Sequence, residues 1–119
     1  MTEIKLKRSY DAASADDGYR ILVDRLWPRG LSKEAFLYNL WAKDIAPSAE
    51  LRKWLHADPD GHAQEFEKRY ETELNENPGL QSFVKEVASH PVVTFLYSSK
   101  DRNENNAEVL RNVVLRKLS

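Results

Sequence analysis

The order of apolar and polar residues predicts a chain in which strands alternate with helices. Near the start, Ile4 and Leu6 alternate with lysines, a period of two that is typical of a strand with one solvated face near a sheet edge. The run from Arg20 to Gly30 begins with a short apolar segment, Ile21 to Val23, which is followed by Leu26 and Trp27 and indicates a strand at the sheet centre, covered on both faces. Val92 to Tyr97 is rich in β-branched and aromatic residues and predicts a second central strand.

Three helices are predicted between the two central strands, and a fourth is predicted after them. The helices begin at capping signals, in which a side-chain oxygen can accept a hydrogen bond from a free amide of the first turn. The apolar residues that follow recur with the 3.6-residue period of a helix with one buried face. The expected caps are Ser48 for the first helix, Asp58-Pro59 for the second, Asn77-Pro78 for the third, and Asp101 or Asn103 for the last.

The segment 37–43 is ambiguous, because Tyr38, Leu40 and Ala42 are spaced as in a short strand while a helix is the competing interpretation. Before it, Ser32 can cap a short helical turn. Central strands separated by helices indicate right-handed crossovers and therefore a parallel sheet. The predicted fold is a single α/β domain over residues 1–119, with three layers: a mainly parallel central sheet and helices on both faces.

Composition agrees with one ordered domain and excludes several kinds of site. The chain has 119 residues, of which 41% are hydrophobic and 31% are charged, and it has no cysteine. The absence of cysteine excludes disulfides, thiolate metal ligands and cysteine nucleophiles. The net charge of -1 argues against a protein that coats nucleic acid or an anionic membrane. Because the N-terminus is charged and there is no apolar run of about 18 residues, we expect a cytoplasmic protein without a membrane span.

The parallel topology predicts where polar side chains meet. Ligands of open parallel sheets bind beyond the carboxyl ends of the strands, where the following loops converge and helix N-termini point. Guanidinium groups and helix amides in such loops suit a phosphate, sulfate or carboxylate, so the expected partner is a small anionic or phosphorylated ligand. The residues expected to bind it are Arg8, Tyr10, Arg25, Trp27, Arg29, Ser98, Ser99, Lys100 and Asn105.

Whether the protein is an enzyme is left open by the sequence, although a hydrolase or transferase would fit such a ligand. Lys100 is the first candidate for a general acid or base, since a crowd of cations can lower the pKa of a lysine, and Asp24 and Asp101 are the next candidates. Ser98 and Ser99 lack the glycine pattern of a nucleophile elbow, and no histidine lies in these loops. A serine hydrolase triad is therefore not expected.

Neither a metal nor a cofactor is predicted. His56 and His62 bracket Asp58 and Asp60, a spacing that can suggest a metal site. Helix capping explains Asp58 and Asp60 more simply.

Two other interpretations of the same residues remain open. In the first, Arg25 pairs with Asp24 or Asp101 and Trp27 packs beneath its loop, which gives a structural ion-pair network that needs no ligand. In the second, Trp27, Arg29 and Trp41 form an exposed apolar and basic patch that binds another protein without catalysis. Binding to nucleic acid is disfavoured by the net charge, and no pattern indicates the oligomeric state.

Five stretches together form a specific motif: Lys7-Arg8, Asp17-Gly18-Tyr19-Arg20, Val23-Asp24-Arg25-Leu26-Trp27-Pro28-Arg29-Gly30, Ala46-Pro47-Ser48 and Tyr97-Ser98-Ser99-Lys100-Asp101. In these stretches the chain resembles the YeaO-like family of uncharacterised bacterial proteins, a domain of unknown function, over essentially its whole length. The resemblance implies a small cytoplasmic α/β protein and supplies no reaction. Where members of that family often read Asn-His-Ala after the last strand, this chain reads Asn105-Asn106-Ala107, so a role in proton transfer is not expected at Asn106.

Overall fold

The centre of the molecule is a sheet of four parallel strands. The computed structural model describes residues 2–102 and 105–118. The strands in this part of the chain are β1 (Glu3–Arg8), β2 (Tyr19–Leu22), β3 (Leu40–Trp41) and β4 (Val92–Tyr97). Their order in the sheet is β1-β4-β2-β3, so β4 pairs with both β1 and β2. The predicted α/β fold with a parallel sheet is confirmed.

The two central strands are those that the apolar runs predicted. Ile21 and Leu22 of β2 and Phe95 of β4 are completely buried, because side chains cover both faces of the sheet. Leu26 and Trp27 do not continue the strand, since β2 ends at Leu22 and Leu26 is 56% exposed. The ambiguous segment contains the strand β3, which is only two residues long.

All four helices contribute to one apolar cluster on one face of the sheet. They are α1 (Ala49–Ala57), α2 (Pro59–Glu76), α3 (Leu80–Ala88) and α4 (Asn106–Leu118). Ile21 and Phe95 point toward them and pack in the same cluster as Tyr70 of α2 and Leu110 of α4. The buried hydroxyl of Tyr70 donates a hydrogen bond to the carbonyl of Ile45 at 2.7 Å, so its polar atom is satisfied. None of the helices in the described residues is both long and apolar enough to cross a membrane.

The opposite face of the sheet is covered by a loop and by a short 3-10 helix at Ala15–Asp17, rather than by α-helices. In this second apolar cluster Leu22 and Leu96 pack against Phe36. The covering segment, 23–39, joins β2 to its neighbour β3 and contains Pro28 and Gly30, which disfavour a continuous helix. A third layer is therefore present, but it consists of a loop and a short 3-10 helix instead of the helices that were predicted for this face.

Ion pairs complete the covering of this second face. Asp17, at the end of the 3-10 helix, pairs with Lys7 at 2.9 Å and with Arg20. Its backbone carbonyl accepts a hydrogen bond from the hydroxyl of Thr94 at 2.7 Å. Because Asp17, Arg20 and Thr94 are all buried, the pairing is needed to compensate for the loss of hydration.

The first two predicted helix caps are confirmed. The hydroxyl of Ser48 accepts a hydrogen bond from the amide of Leu51 at 3.1 Å, and Asp58 accepts one from the amide of Gly61 at 3.1 Å. Pro59 is the first residue of α2, where its missing N–H costs nothing. The predicted turn after Ser32 is also present, since its hydroxyl accepts a hydrogen bond from the amide of Ala35.

Two other candidate caps, Asn77 and Asp101, were wrong in position. Asn77 is the C-cap of α2 and accepts a hydrogen bond from the amide of Gly79, which in turn precedes the first residue of α3. At α4 the capping side chain is Asn105, which accepts a hydrogen bond from the amide of Glu108 at 2.9 Å, rather than Asp101. Asn103, the other candidate, lies outside the described residues.

Candidate functional site

The loops after β1, β2 and β4 meet at the carboxyl edge of the sheet, as the parallel topology requires. Arg8 donates from Nε to the carbonyl of Ser99 and from Nη2 to the carbonyl of Ser98, both at 2.9 Å. The hydroxyl of Tyr10, whose ring lies beneath the Arg8 guanidinium, donates to the carbonyl of Arg29 at 2.9 Å. The structure therefore brings together five of the residues expected to bind a ligand.

A paired carboxylate, Asp11, lies within this group. Its Oδ1 and Oδ2 each lie 2.9 Å from a terminal nitrogen of Arg102, and Oδ2 also accepts a hydrogen bond from the amide of Arg8 at 3.0 Å. The hydrogen bond from Arg102 is the main reason why the pKa of Asp11 is lowered to about 2. Sequence reasoning missed this pair, because nothing in the spacing of Asp11 and Arg102 indicates that the two residues meet.

Positive charge at this edge exceeds the charge that ion pairs neutralise. Within the described residues, Arg102 is paired with Asp11, whereas Arg8, Arg29 and Lys100 take part in no ion pair. Lys100 and Arg29 are exposed, as is the neighbouring Asp101. The side chains in these loops therefore leave an accessible, basic surface.

The two predicted serines differ in accessibility. Ser99 is exposed, and its hydroxyl accepts a hydrogen bond from the amide of Asp101 at 3.2 Å. The hydroxyl oxygen of Ser98 is buried, so only a rearrangement of the loop would let it contact a ligand.

Asp24 holds the loop after β2 against β4 and α4. Its carboxylate accepts hydrogen bonds from the amide of Ser98 at 2.8 Å and from the side chain of Asn106 at 3.0 Å, and its carbonyl accepts one from the indole of Trp41. Burial raises the pKa of Asp24, and the hydrogen bonds from Asn106 and Ser98 oppose that effect. Both carboxylate oxygens are already engaged, which makes Asp24 a structural connection.

Arg25 points away from the basic surface, toward the start of α1. Its Nε donates to the carbonyl of Pro47 at 3.0 Å, and no contact in the described residues joins it to Arg29. The next residue, Ser48, donates from both its amide and its hydroxyl to the carboxylate of Glu73. The positive end of α1 thus already has a carboxylate beside it.

Trp27 and Asn105 have structural roles. The indole N–H of Trp27 donates to the carbonyl of Leu31, and its ring packs edge-on against Phe36 at 5.4 Å and Trp41 at 5.6 Å. Asn105 is buried, and besides capping α4 it donates from Nδ2 to the carbonyl of Asp101 at 3.0 Å. The packing of Trp27 agrees with the interpretation of the motif as a structural network, whereas the ion pair of Arg25 with Asp24 or Asp101 is not found in the described residues.

No three His, Asp or Glu side chains in residues 2–102 and 105–118 converge in a way that could hold a metal ion. His62 stacks on the ring of Trp54 at 3.8 Å, and its Nδ1 lies 2.7 Å from the Trp54 carbonyl.

Comparison with known proteins identifies the family. Residues 3–119 match the model of a family described as the inactive DUF488-N3 subclade. The chain is 43% identical over 107 residues to the uncharacterised protein YeaO of Escherichia coli, a match that covers 90% of this chain and 92% of that protein. It is 35% identical over 113 residues to uncharacterised proteins of Mycobacterium tuberculosis and Mycobacterium bovis, with 95% of this chain and 94% of each relative covered. No solved structure matches the chain. The chain therefore belongs to the YeaO-like proteins of the DUF488-N3 subclade.

Proposed function

We propose that this protein is a non-catalytic module that binds a small anionic or phosphorylated ligand at the carboxyl edge of its sheet. The binding site is the anion surface, which we define as Arg8, Arg29, Lys100 and Arg102. The observation that carries this proposal is the excess of positive charge, since three of these four residues have no ion-pair partner among the described residues. Several convergent cations are what recognition of phosphate or carboxylate requires.

The candidate catalytic groups argue against a reaction at this surface. Lys100 is exposed at the surface and does not lie in an enclosed cavity. Asp24 has both carboxylate oxygens engaged by Ser98 and Asn106. Asp101 is also exposed. The description of the matching family as an inactive subclade supports binding without catalysis as well.

The alternative of a protein-binding patch has less support. Trp27 and Trp41 are only partly exposed, and each indole N–H donates to a carbonyl of the chain itself. Packing of the two rings against each other leaves Arg29 as the most accessible member of the three residues that this alternative needs. Anchor residues of an interface are normally free to enter a pocket on the partner.

The proposal predicts that inorganic phosphate binds wild-type protein at the anion surface. In titrations at constant ionic strength followed by amide NMR shifts, we expect the largest changes at residues 8–11, 29 and 98–102. Arg29→Ala and Lys100→Ala should each weaken binding about tenfold, because each removes a hydrogen bond to a charged group worth roughly 1.5 kcal/mol.

A matched control separates this site from a general charge effect. Lys68 is an exposed cation on α2, and Lys68→Ala changes the net charge of the protein by the same amount as Lys100→Ala. The Lys68 variant should bind phosphate like wild type. The proposal fails if wild-type protein shows no saturable shifts, or if Lys68→Ala weakens binding as much as Arg29→Ala does.

A further inference from the structure

We infer that Asp11 is an internal ligand of the anion surface, and that the external ligand replaces it with a carboxylate or phosphate group that presents two oxygens to Arg102. This inference rests on the proposed function and adds to it the class of ligand and the residue that controls affinity.

The contacts of Asp11 define the shape of the ligand group. Two carboxylate oxygens lie opposite the two terminal nitrogens of Arg102, each pair at 2.9 Å. The amide of Arg8 donates a third hydrogen bond to one of these oxygens. A guanidinium fork together with a backbone amide is a common arrangement for binding carboxylate or phosphate, and here a side chain of the protein occupies it.

The pair between Asp11 and Arg102 is suited to exchange, because it is accessible. The side chain of Arg102 is 57% exposed and that of Asp11 is 27% exposed. Exposed ion pairs contribute only about 0–1 kcal/mol, so a competing anion displaces little stabilising energy. The pair between Asp17 and Lys7 differs, since the Asp17 side chain is only 5% exposed and also pairs with the buried Arg20, so this carboxylate is much harder to displace.

The surroundings of the pair favour an anion with more charge than one carboxylate. Asp11 neutralises one cation, whereas Arg8 and Lys100 in the same group of loops have no ion-pair partner in the described part of the chain. The carboxylate of Asp11 and an external anion compete for the same guanidinium group of Arg102. Asp11 therefore lowers the apparent affinity of the protein for every external anion that binds there. Removal of its charge should therefore increase affinity.

The test is Asp11→Asn, which keeps an oxygen that can accept the hydrogen bond from the amide of Arg8 but lacks the charge that pairs with Arg102. We expect inorganic phosphate and acetate each to bind this variant about fivefold more tightly than wild type, the equivalent of roughly 1 kcal/mol. The double variant Asp11→Asn with Arg102→Ala should lose that gain. Asp60→Asn makes the same change of charge at an exposed position on α2 and should leave both affinities unchanged.

The outcomes separate the inference from the proposed function. If Arg29→Ala weakens phosphate binding but Asp11→Asn binds no more tightly than Asp60→Asn, the inference is overturned and the proposed function stands. If wild-type protein binds no phosphate and Asp11→Asn does, the inference is supported, and Asp11 keeps the surface closed to that anion. If neither protein binds phosphate or acetate, both are overturned. A gain that persists in the double variant also overturns the inference, since Arg102 would then not be the group that is released.

Discussion

Three carboxylates of the chain occupy positions where positive potential collects. Asp24 accepts a hydrogen bond from the side chain of Asn106 at the start of α4. Glu73 accepts one from the amide of Ser48 at the start of α1, and Asp11 accepts one from the guanidinium group of Arg102. The sequence showed that Asp24 would lie at the carboxyl edge. It could not show that Asp24 is satisfied by the protein, because its donors are 74 and 82 positions away along the chain. The local sequence therefore does not distinguish a catalytic carboxylate from a structural carboxylate whose hydrogen-bond donors are distant in the chain.

Asp24→Asn should destabilise the fold by about 1–3 kcal/mol, the range for a buried hydrogen bond that loses its partner. An asparagine has one carbonyl oxygen and one amide group, so either the Ser98 amide or the Asn106 side chain would face another donor. Urea denaturation measures the change in the free energy of unfolding. The control, Asp44→Asn, alters an exposed carboxylate of the 3-10 helix Lys43–Ile45 and should cost close to nothing. Equal stability of the two variants would show that Asp24 is not a structural connection.

Elements with local signals were predicted well, and those that depend on distant contacts were not. Ser48 and Asp58 cap helices through amides three residues away, so the short sequence pattern contains both partners. The layer formed by residues 23–39 depends on the packing of Phe36 against Leu22 and Leu96. No local sequence pattern predicts this contact. In the anion surface, the sequence identified Arg8, Arg29 and Lys100 by topology but missed Arg102.

The turn that leads into β2 requires a glycine at position 18. Gly18 has φ 64° and ψ -132°, and a Cβ atom there would lie 2.3 Å from the carbonyl oxygen of Val92. Gly30 also has a positive φ of 85°, but a Cβ atom there would meet nothing within 4 Å. Gly18→Ala should therefore lower the free energy of unfolding by more than the roughly 1–3 kcal/mol of backbone strain, whereas Gly30→Ala should lose only the strain. Thermal or urea unfolding of both variants measures the difference, and a Gly18 variant as stable as the Gly30 variant would contradict the close approach.

At the scale of the whole molecule, the sheet has a thick side and a thin side. All four helices contribute to the cluster on the thick side, while the thin side has a small cluster around Leu22, Phe36 and Leu96 and the ion pairs of Asp17. The general α/β plan followed from the two apolar strands and the helix periods. The asymmetry did not, because the sequence of residues 23–39 has neither helix periodicity nor the composition of an unstructured linker.

Phe36→Ala should loosen the thin side, with a loss of about 3 kcal/mol in the free energy of unfolding. Trp27 and Trp41 pack in that cluster, so the folded variant should also show red-shifted tryptophan emission. Phe83→Ala removes a side chain of the same size from the thick side, where Phe83 packs on Phe95, and should cost a similar free energy with a smaller shift in emission, because Trp54 is the only tryptophan of the described residues that packs against that cluster. A shift of equal size in both variants would mean that the two sides do not respond separately.

The position of β4 also constrains how the molecule is made. β1 and β2 come first along the chain, yet β4 lies between them in the sheet and pairs with each. A growing chain therefore carries its first two strands without their common partner until residues 92–97 have been synthesised. Such distant pairing slows folding, since a long loop must close before the contacts form. The pairing of β1 and β2 with β4 can therefore form only after most of the chain has left the ribosome.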